Sequence, residues 1–516
     1  MSDKKIFADN DIEAFENKLK KIVKPKENWA IYGSGNGAEL IFAALCKLSA
    51  VFSIKYIIER DEFVHCKKEF HGIGIKKLSE VCDELDGIIV AAMDNHNIIY
   101  ERILKNLTKK QLKKLRVVDI FTYNTSEEIE EYVSYIEKSI FRKSEEFIAF
   151  DNHCYKKKKG DTKVIAWYLP QFHQMEINNK FHGKGFTEWT NTSRAIPLFT
   201  GHYQPHIPYD VGYYDLLNID TLKRQIYLAK HYGIYGFSFH YYWFSGKRIM
   251  EKPLELLLEH KELDIPFCIN WATENWTALW DGGNNDVMLE QKLDDKDDEK
   301  FMDDILPYMK DSRYIKIDGR PVLVVYRVNT FEQKRVKRLF SNFRNRAKSE
   351  GFFGLYIVLT NSFDFDEDVA AWGADAFVEF PIHGMWKFMD LCRPKGYLNP
   401  YFKGKIRDAS SFVKNRNYML KHKSKIYFRS ALVSWDNTAR KALSNGTVYI
   451  GFTPETFRQW LTDIVTESKK IHSDEEDIVF VNSWNEWAEG SHLEPDMKYG
   501  YAYLQVVKDV LETYKQ

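Results

Sequence analysis

The sequence predicts an α/β protein with an N-terminal Rossmann-like parallel-sheet domain and a C-terminal (β/α)₈ TIM barrel. Strand-like and helix-like segments alternate along both parts of the chain, which is typical of parallel sheets. The C-terminal part holds eight apolar runs in about 350 residues, which fits a (β/α)₈ barrel with long loops. Several of these runs are apolar almost throughout, as strands covered on both faces are.

The chain is predicted to divide into three segments. A length of 516 residues is too great for one ordinary domain. We expect the Rossmann-like domain at residues 1–122, a charged linker at residues 123–162 and the barrel at residues 163–516. The linker is rich in Glu and Lys. Its lysine run at residues 156–159 is more typical of a solvated connection than of a phosphate-binding patch.

The composition argues against disorder and against nucleic-acid binding. Hydrophobic residues make up 44% of the chain, enough for a large core. The 74 basic and 74 acidic residues cancel, so the positive footprint of a nucleic-acid binder is missing. The six cysteines show neither a C-x-x-C pair nor regular spacing, and we expect reduced thiols rather than disulfides or a zinc site.

The chain is predicted to be cytoplasmic and to have no membrane span. The first residues, MSDKKIFADN, carry charges with no apolar segment behind them, so no signal peptide is visible. No run reaches the roughly 18 uninterrupted apolar residues of a membrane-spanning helix. Any work beside a membrane would then depend on a partner or on a lipid-linked substrate.

The N-terminal segment has the element order of a parallel sheet. A helix is predicted over residues 11–24, and a second helix follows a glycine-rich loop and runs to about Leu48. The predicted strands cover residues 28–32, 52–58, 87–91 and 116–121.

The glycine-rich loop GSGNGA leaves two interpretations open. Gly33, Gly35 and Ala38 fit the G-x-G-x-x-G/A fingerprint, Gly37 lies in the same loop, and Glu59 falls near the position of a ribose-binding acid. The loop either binds a nucleotide or nucleotide sugar or is a tight turn that needs glycines whatever it binds. An NAD-linked oxidoreductase is less well supported, because no second nucleotide-binding half is visible. No other cofactor is predicted.

The eight apolar runs of the barrel domain are bounded by Gly or Pro and separated by helix-sized segments. They cover residues 164–169, 236–241, 266–271, 321–326, 355–359, 376–380, 426–433 and 478–483. In a (β/α)₈ barrel the substrate site lies at the C-terminal ends of the strands. The residues at and just after the end of each run are therefore the candidate site residues.

Aromatic, amide and acidic side chains collect at these strand ends, which is the chemistry of a sugar pocket. Planar rings stack on pyranose faces, and amides and acids bind hydroxyl groups. The candidate substrate-binding residues are Tyr168, Gln171, His173, His240, Tyr241, Tyr242, Trp243, Asn270, Trp271, Glu274, Asn275, Trp276, Tyr326, Trp435, Asp436, Arg440, Asn485 and Trp487. Taken singly, large aromatic residues such as these are also common in protein cores.

Glu486 and Glu489 are the candidate catalytic residues. They follow the last apolar run, and Gly490 lets the chain turn away behind them. If a helical turn forms there, positions i and i+3 lie on one side with β-carbons about 5–6 Å apart. Of two close carboxyl groups, one stays ionised as a base while the other keeps its proton as an acid, as glycosidic chemistry requires. Other acids lack a partner close in sequence: Glu188, Glu274 and Glu379.

No metal site is predicted from the histidines. His202 and His206 have H-x-x-x-H spacing, but Pro205 and Pro208 disfavour a helix there, so the two rings need not share a face. These histidines and His173 are more typical of hydrogen-bonded structure.

Seven motifs in order resemble the bacterial WbsX-type glycosyltransferases: WYLPQFH, GFTEWTN, HYYWF, NWATENWT, DGRPVL, WDNTAR and WNEWAEGSHLEP. The resemblance runs from about Lys163 to the C-terminus, and those proteins are in turn similar to the endo-α-mannosidase family of glycoside hydrolases. It implies a barrel that acts with retention of anomeric configuration and without a metal. It also implies that Glu486 is the base on the sugar 2-hydroxyl, giving a 1,2-anhydro intermediate, and that Glu489 is the acid at the leaving oxygen.

Two departures from the hydrolases shape the expected role. Those enzymes usually lack the N-terminal sheet domain, and they are typically exported or lumenal. We therefore expect a glycosyltransferase or glycan-processing enzyme of bacterial surface polysaccharide synthesis, such as O-antigen or capsule. Its substrate would be an oligosaccharide, a lipid-linked glycan or a nucleotide sugar. An endo-α-mannosidase-like hydrolase and a non-catalytic glycan-binding scaffold remain alternatives.

Overall fold

The protein divides into two compact units in a computed structural model. The structure describes residues 9–48, 53–61, 64, 68–91, 96–120, 129–130, 133–135, 142–277, 287–291, 295–361, 365–394, 398–399, 402–441 and 446–514. The first unit comprises Met1–Lys138 with Leu198–Thr200 and Gly396–Phe402, and the second comprises Ser139–Pro197, Gly201–Lys395 and Lys403–Gln516.

The first unit contains a six-stranded sheet whose strands are parallel except at one edge. In spatial order its strands are Glu69–Phe70, Ile73–Lys76, Ser53–Ile58, Asn28–Tyr32, Gly87–Val90 and Arg116–Asp119. The helices are Asp9–Ile22, Asn36–Lys47, Leu78–Val81, His96–Asn106 and Lys109–Lys114. The four predicted strands are present, and the two short strands at residues 69–76 were not predicted. The Rossmann-like assignment of this unit stays a prediction.

The central strand of this sheet is anchored by Trp29. Its ring is fully buried, and a β-carbon on Gly87 of the neighbouring strand would lie 2.3 Å from it. Gly87 therefore lets the indole pack directly on the backbone of the next strand.

The second unit contains the predicted eight-stranded parallel barrel. Its strands are Lys163–Tyr168, Ile234–Phe244, Phe267–Ala272, Arg320–Tyr326, Tyr356–Thr360, Ala376–Val378, the divided strand Tyr427–Phe428 with Ser430–Leu432, and Ile478–Asn482. The divided seventh strand pairs with the sixth through its first half and with the eighth through its second half. The eighth strand pairs with the first, which gives a nearly closed barrel.

Helices and short hairpin strands follow the barrel strands. The α-helices are Glu176–His182, Glu188–Arg194, Ile219–His231, Lys252–Glu259, Asp295–Met309, Gln333–Ser349, Ser410–Lys414, Pro454–Ile471 and Ala502–Thr513. The 3₁₀ turns are Val328–Thr330, Val369–Trp372, Met385–Phe388 and Trp487–Glu489. The short strands are Lys247–Ile249, Trp276–Thr277, Val287–Leu289, Lys316–Ile317, Asp390–Cys392, Lys405–Asp408, Trp435–Asp436, Thr447–Ile450, Asn485–Glu486 and Ser491–His492.

The end of the predicted linker lies in the barrel unit. Ile148 forms a bridge with Gly500, and the buried Lys508 donates to Asp151 over 2.5 Å. These contacts hold the chain ahead of the first barrel strand against the C-terminal helix. The lysines at residues 156–159 are exposed, as expected of a solvated run. Residues 121–128, 131–132 and 136–141 lie outside the described part of the chain.

None of the helices among the described residues combines the length and the apolar character that a membrane span requires.

The packing of the second barrel strand predicts the effect of Gly236→Ala. A β-carbon at this position would lie 2.4 Å from the carbonyl oxygen of Pro266, a backbone atom that cannot rotate away. We expect the free energy of unfolding to fall by about 1–3 kcal/mol, measured by chemical denaturation.

Gly74→Ala is the control, because it adds the same methyl group to a strand where nothing lies within 4 Å. It should change the free energy of unfolding by less than about 0.5 kcal/mol. Equal stability of Gly236→Ala and the wild type would show that the barrel tolerates the extra atom.

Candidate active site

A cavity of about 740 Å³ opens at the C-terminal ends of the barrel strands. Tyr326 and Asn482 are the last residues of their strands, and both lie in its wall. Among the described residues, the lining consists of Trp167, Leu169, His240, Tyr242, Thr273, Glu274, Asn275, Gln291, Tyr326, Arg327, Thr330, Phe331, Phe380, Ile382, His383, Trp435, Asn437, Arg440, Lys441, Asn482, Glu486 and Glu489. The volume falls within the range of small-molecule sites, about 300–1,000 Å³.

Glu486 and Glu489 lie on one side of a short helical turn, as the spacing predicts. Glu486 precedes the 3₁₀ turn Trp487–Glu489, and Gly490 ends it with a φ of 62°. Glu486 is 3% exposed, and the side chain of Glu489 is 13% exposed. Both carboxyl groups line the cavity. The turn therefore presents two largely desolvated acids to the same space.

Arg440 holds the two glutamates together. Its Nη1 donates to Glu489 over 2.6 Å, and its Nη2 donates to Glu486. Its Nε donates to Glu188 over 3.0 Å. Gln171 completes the cluster, because its Nε2 donates to Glu486 over 3.1 Å and its Oε1 accepts from Arg440 over 3.3 Å. One guanidinium is thus shared by three buried or nearly buried carboxylates.

The excess of negative charge favours a retained proton. Burial raises the pKa of Glu486; Arg440 opposes this, while the charges of Glu489 and Glu188 add to it. Burial also raises the pKa of Glu489, again against Arg440. A buried ion that gains too little from its partners becomes neutral instead. The pair therefore offers one carboxylate and one carboxylic acid at neutral pH.

Glu494 supports the turn from behind, and it was not among the predicted residues. It is 2% exposed and accepts hydrogen bonds from Trp484 Nε1 over 3.1 Å and from Trp487 Nε1 over 2.6 Å. Gln225 and Tyr214 also donate to it, over 2.6 and 2.8 Å. Both indoles that flank Glu486 are thus fixed by one carboxylate. The position of Glu494 near the end of the motif WNEWAEGSHLEP gave no indication of this role.

Asn485 fixes the same turn to the first barrel strand. Its Oδ1 accepts from the backbone N–H of Leu169, and its Nδ2 donates to the Leu169 carbonyl, both over 2.9 Å. The amide is fully buried and does not line the cavity. Asn485 therefore acts on the position of the turn, whereas substrate contact was expected.

His240 presents one ring nitrogen to the cavity. Asn270 lies 2.5 Å from its Nδ1, which leaves Nε2 for a ligand. Burial, with a smaller contribution from Arg440, lowers the pKa of His240 to about 4, so the ring is neutral. Asn270 itself is fully buried and orients His240.

Nine of the predicted catalytic and substrate-binding residues line the cavity together. These are His240, Tyr242, Glu274, Asn275, Tyr326, Trp435, Arg440, Glu486 and Glu489. The carboxylate of Glu274 accepts from Arg327 over 2.7 Å, and burial raises its pKa. Tyr326 donates to or accepts from His383 over 2.8 Å. Aromatic rings, an amide group and acidic side chains thus line the same cavity.

Four predicted residues face away from the cavity, which corrects the expectation of substrate contact. Tyr241, Trp243 and Trp271 all pack on Phe301, with ring centroids 6.3, 5.4 and 4.2 Å away. The hydroxyl of Tyr168 donates to Gln225 on the surrounding helix layer over 2.7 Å. The physical reason is strand alternation, since successive side chains point to opposite faces.

Alternation also explains lining residues that sequence reasoning missed. Trp167 lies in the cavity wall in place of its neighbour Tyr168, and it stacks on Phe480 at 4.8 Å. Alternation places Trp167 and Tyr168 on opposite faces, but the apolar run does not show which of the two faces inward. Thr330, Ile382 and His383 come from loops, where no periodic signal exists.

The remaining predicted residues lie around the cavity without lining it. Trp276 packs edge-on against Tyr242 at 4.8 Å, and His173 is buried. Asp436 accepts from His202 and Gln204 over 2.6 and 2.8 Å, away from the large cavity. Gln171 and Trp276 line a smaller cavity with Tyr242 and Arg440. Substrate contact by these residues and by Trp487 stays a prediction.

The glycine-rich loop of the first unit is partly closed by its own acid. Gly33 has a φ of 105°, Gly35 precedes the helix Asn36–Lys47, and Gly37 is buried in it. Glu59 accepts from the backbone N–H of Ser34 over 2.7 Å. Glu59 was predicted to bind a ribose, and one of its carboxylate oxygens is therefore already hydrogen-bonded to the loop. Nucleotide binding at this loop stays a prediction.

Two curated relatives match about two thirds of the chain. Both are described as uncharacterized protein WxcX, from two strains of Xanthomonas campestris pv. campestris, and are 34% identical over 354 residues. The matched region covers 67% of this chain and 49% of each relative. The chain thus spans about half the length of the curated relatives that it matches.

Among solved structures, the chain is similar to a GH99 endo-α-mannosidase from Bacteroides thetaiotaomicron, with a TM-score of 0.41 and 13% identity. That alignment covers 68% of this chain and 97% of the mannosidase. A glycoside hydrolase-like protein aligns with a TM-score of 0.42 and 14% identity over 71% of this chain and 98% of that protein.

The family comparison covers the whole barrel. A model of the family described as glycosyltransferase WbsX matches residues 164–507, from the first barrel strand to the C-terminal helix. This span contains every residue of the cavity lining and the turn that carries the two glutamates. The chain therefore belongs to the WbsX glycosyltransferase family.

Proposed function

We propose that the protein is a carbohydrate-active enzyme that makes or cleaves glycosidic bonds with retention, using Glu486 and Glu489. The observation that carries this proposal is the pair of desolvated carboxyl groups, bound to one guanidinium, at the mouth of the barrel cavity. Such a pair supplies a base and an acid to one substrate bond. Membership of the WbsX family supports carbohydrate chemistry.

In the proposed reaction Glu486 removes the proton of the sugar 2-hydroxyl as that oxygen attacks the anomeric carbon. Glu489 gives its proton to the leaving oxygen, and a 1,2-anhydro sugar forms. An acceptor hydroxyl then opens this ring: Glu489 takes the acceptor proton and Glu486 returns a proton to the 2-oxygen. Both carboxyl groups end as they began, and the configuration is retained.

The cavity wall supports a glycan as the substrate. Trp435, Tyr242 and Tyr326 offer ring faces, and Asn275 and Asn437 offer amide groups. Apolar walls with a few placed polar groups are the usual composition of a small-molecule site. Stacking on these rings would hold a pyranose while the amides bind its hydroxyls.

The biological role that fits this chemistry is assembly or trimming of bacterial surface polysaccharide, such as O-antigen or capsule, in the cytoplasm. The substrate would be an oligosaccharide, a lipid-linked glycan or a nucleotide sugar. The loop Gly33, Gly35 and Gly37 with Glu59 is the proposed nucleotide-binding element. Water in place of the acceptor sugar would give an endo-α-mannosidase-like hydrolase with the same catalytic pair.

Glu486→Gln and Glu489→Gln should each lower kcat/KM by about 10²–10⁴-fold, because each removes one proton-transfer group. The assay incubates the wild type with nucleotide sugars and with free and lipid-linked α-mannosides and follows products by mass spectrometry. A heavier acceptor indicates transfer, and a released reducing sugar indicates hydrolysis.

Glu455→Gln is the matched control, because its side chain is 78% exposed and lies on an outer helix. It should leave turnover unchanged. If Glu489→Gln processed a substrate of the wild type at the wild-type rate, the catalytic assignment would fail. Binding of a glycan without any turnover would favour the scaffold alternative.

The activity should show a bell-shaped pH dependence. At low pH both carboxyls are protonated and no base remains, whereas at high pH both are ionised and no acid remains. Burial raises the pKa of both groups, so both limbs should lie above the usual range of a carboxyl group. Arg440→Gln removes the positive charge that favours both ionised forms, so both pKa values rise and the acidic limb of kcat/KM moves to higher pH.

Arg440→Lys tests the positive charge of Arg440 separately from its hydrogen-bond geometry, because lysine keeps the charge but lacks the branched guanidinium donor. Its acidic limb should move less than that of Arg440→Gln. An acidic limb that moves to lower pH in Arg440→Gln would contradict the electrostatic role of this residue.

A further inference from the structure

A second cavity, of about 220 Å³, lies on the other side of the catalytic turn. Trp435 lines both cavities, and Gly490 lies in the wall of the smaller one. Three potential metal ligands also lie in its wall: His206, His492 and Asp496. The proposed glycosidic reaction uses none of them.

The three side chains converge although the sequence separates them widely. His206 Nδ1 lies 2.8 Å from His492 Nε2, and His492 Nε2 lies 3.8 Å from Asp496 Oδ2. One ligand atom from each residue lies within 4.8 Å of the other two. All three residues are buried, with 5%, 2% and 2% exposure.

His492 is oriented as metal-bound histidines are. Its Nδ1 lies 2.9 Å from the backbone carbonyl oxygen of Glu494, so Nδ1 carries the proton and Nε2 keeps its lone pair. A ring N–H bound to a carbonyl is the common arrangement behind a metal-ligating imidazole. The lone pair of His492 points at the centre of the cluster.

The spacing is compatible with a cation bound to all three. Metal–nitrogen bonds of about 2.0–2.1 Å place two cis ligands roughly 2.8–3.0 Å apart and bring all ligand pairs within about 4.2 Å. The two histidine nitrogens are 2.8 Å apart and already have this cis spacing, whereas His492 Nε2 and Asp496 Oδ2 are 3.8 Å apart and must approach by about 0.5–1 Å. The remaining pair lies within 4.8 Å, so a site with all three ligands on one face needs a shift there of up to about 1.5–2 Å, which a side-chain rotation of Asp496 can supply.

The carboxylates around the cluster favour a bound cation, and one lysine opposes it. Asp496 supplies one buried carboxylate, and the hydrogen bond between the rings leaves His492 Nε2 without a proton, as metal binding requires. Asp436 adds a second buried carboxylate to the wall, whereas Lys498 opposes a cation.

We propose that His206, His492 and Asp496 bind a divalent transition metal such as Zn²⁺, with the cavity supplying room for water ligands. Two histidines and one carboxylate on one face of an ion are a recurrent donor set for such metals. On binding, the proton of His206 moves from Nδ1 to Nε2, and the metal replaces the hydrogen bond between the rings. No net charge is gained or lost by the imidazoles.

The bound ion would act as a structural clamp beside the catalytic turn. It would join the segment of His206 to the segment of His492 and Asp496. Gly490, two residues before His492, lies against the ring of His206, because a β-carbon there would be 3.2 Å from His206 Nε2. Gly490 directly follows Glu489, so the clamp would fix the end of the turn that carries the proposed acid. Metal binding does not depend on the proposed glycosidic activity.

The test uses the tag-free full chain after dialysis against a chelator. Co²⁺ is titrated and followed by its visible absorption bands, and Zn²⁺ is titrated by competition with a chromophoric chelator. We expect one ion per chain and a rise in melting temperature with Zn²⁺. His206→Gln and Asp496→Asn should weaken binding by at least about 100-fold, more than the loss of an outer-shell partner.

His472→Gln is the matched control, because His472 is a half-buried histidine bound to the carbonyl of Tyr427, outside the cluster. It should keep wild-type affinity. The proposal is overturned if the wild type binds no stoichiometric Co²⁺, or if the cluster variants bind it as the wild type does. If His206→Gln fails to fold, Asp496→Asn, which removes only a charge, supplies the comparison.

Discussion

The shared guanidinium of Arg440 is the interaction on which the candidate site depends. It binds Glu188, Glu486 and Glu489, so one positive charge faces three carboxylates in a buried place. Losing one partner of a buried ion pair costs about 3–5 kcal/mol, because the remaining charge is left without compensation. The same imbalance keeps a proton in the pair. Stability and acid–base chemistry thus come from one cluster.

The barrel supports this cluster by positioning both the turn that carries the two glutamates and the segment that carries Arg440. Asn485 binds the backbone of the first strand, and Glu494 binds the two indoles that flank Glu486. These hydrogen bonds therefore hold the turn close to Arg440, which follows the seventh strand. Behind it, His206 and His492 bring a third segment against Gly490. Rigid support of this kind is what precise proton transfer between substrate and side chain needs.

Local sequence patterns correctly predicted the barrel strands and the turn that carries the two glutamates. The eight apolar runs correspond to the eight barrel strands, and the spacing of Glu486 and Glu489 places both on one turn. Three of the predicted residues that do not reach the cavity share one physical reason. Tyr168, Tyr241 and Trp271 were assigned to the cavity from their position along the chain, whereas alternation within a strand turns them outward. Which face of a run points inward is set by its neighbours, and a fully apolar run carries no sign of it.

The sequence by itself determined the strands, the turn after the last strand and the chemical types at the strand ends, because these depend on residues a few positions apart. Only the tertiary structure decided which of them meet. Arg440 reaches Glu188 across 252 positions, and His206 reaches His492 across 286. Burial then sets the protonation of these groups, since the loss of water depends on every segment packed around them. Contacts of this range leave no periodic trace in the chain.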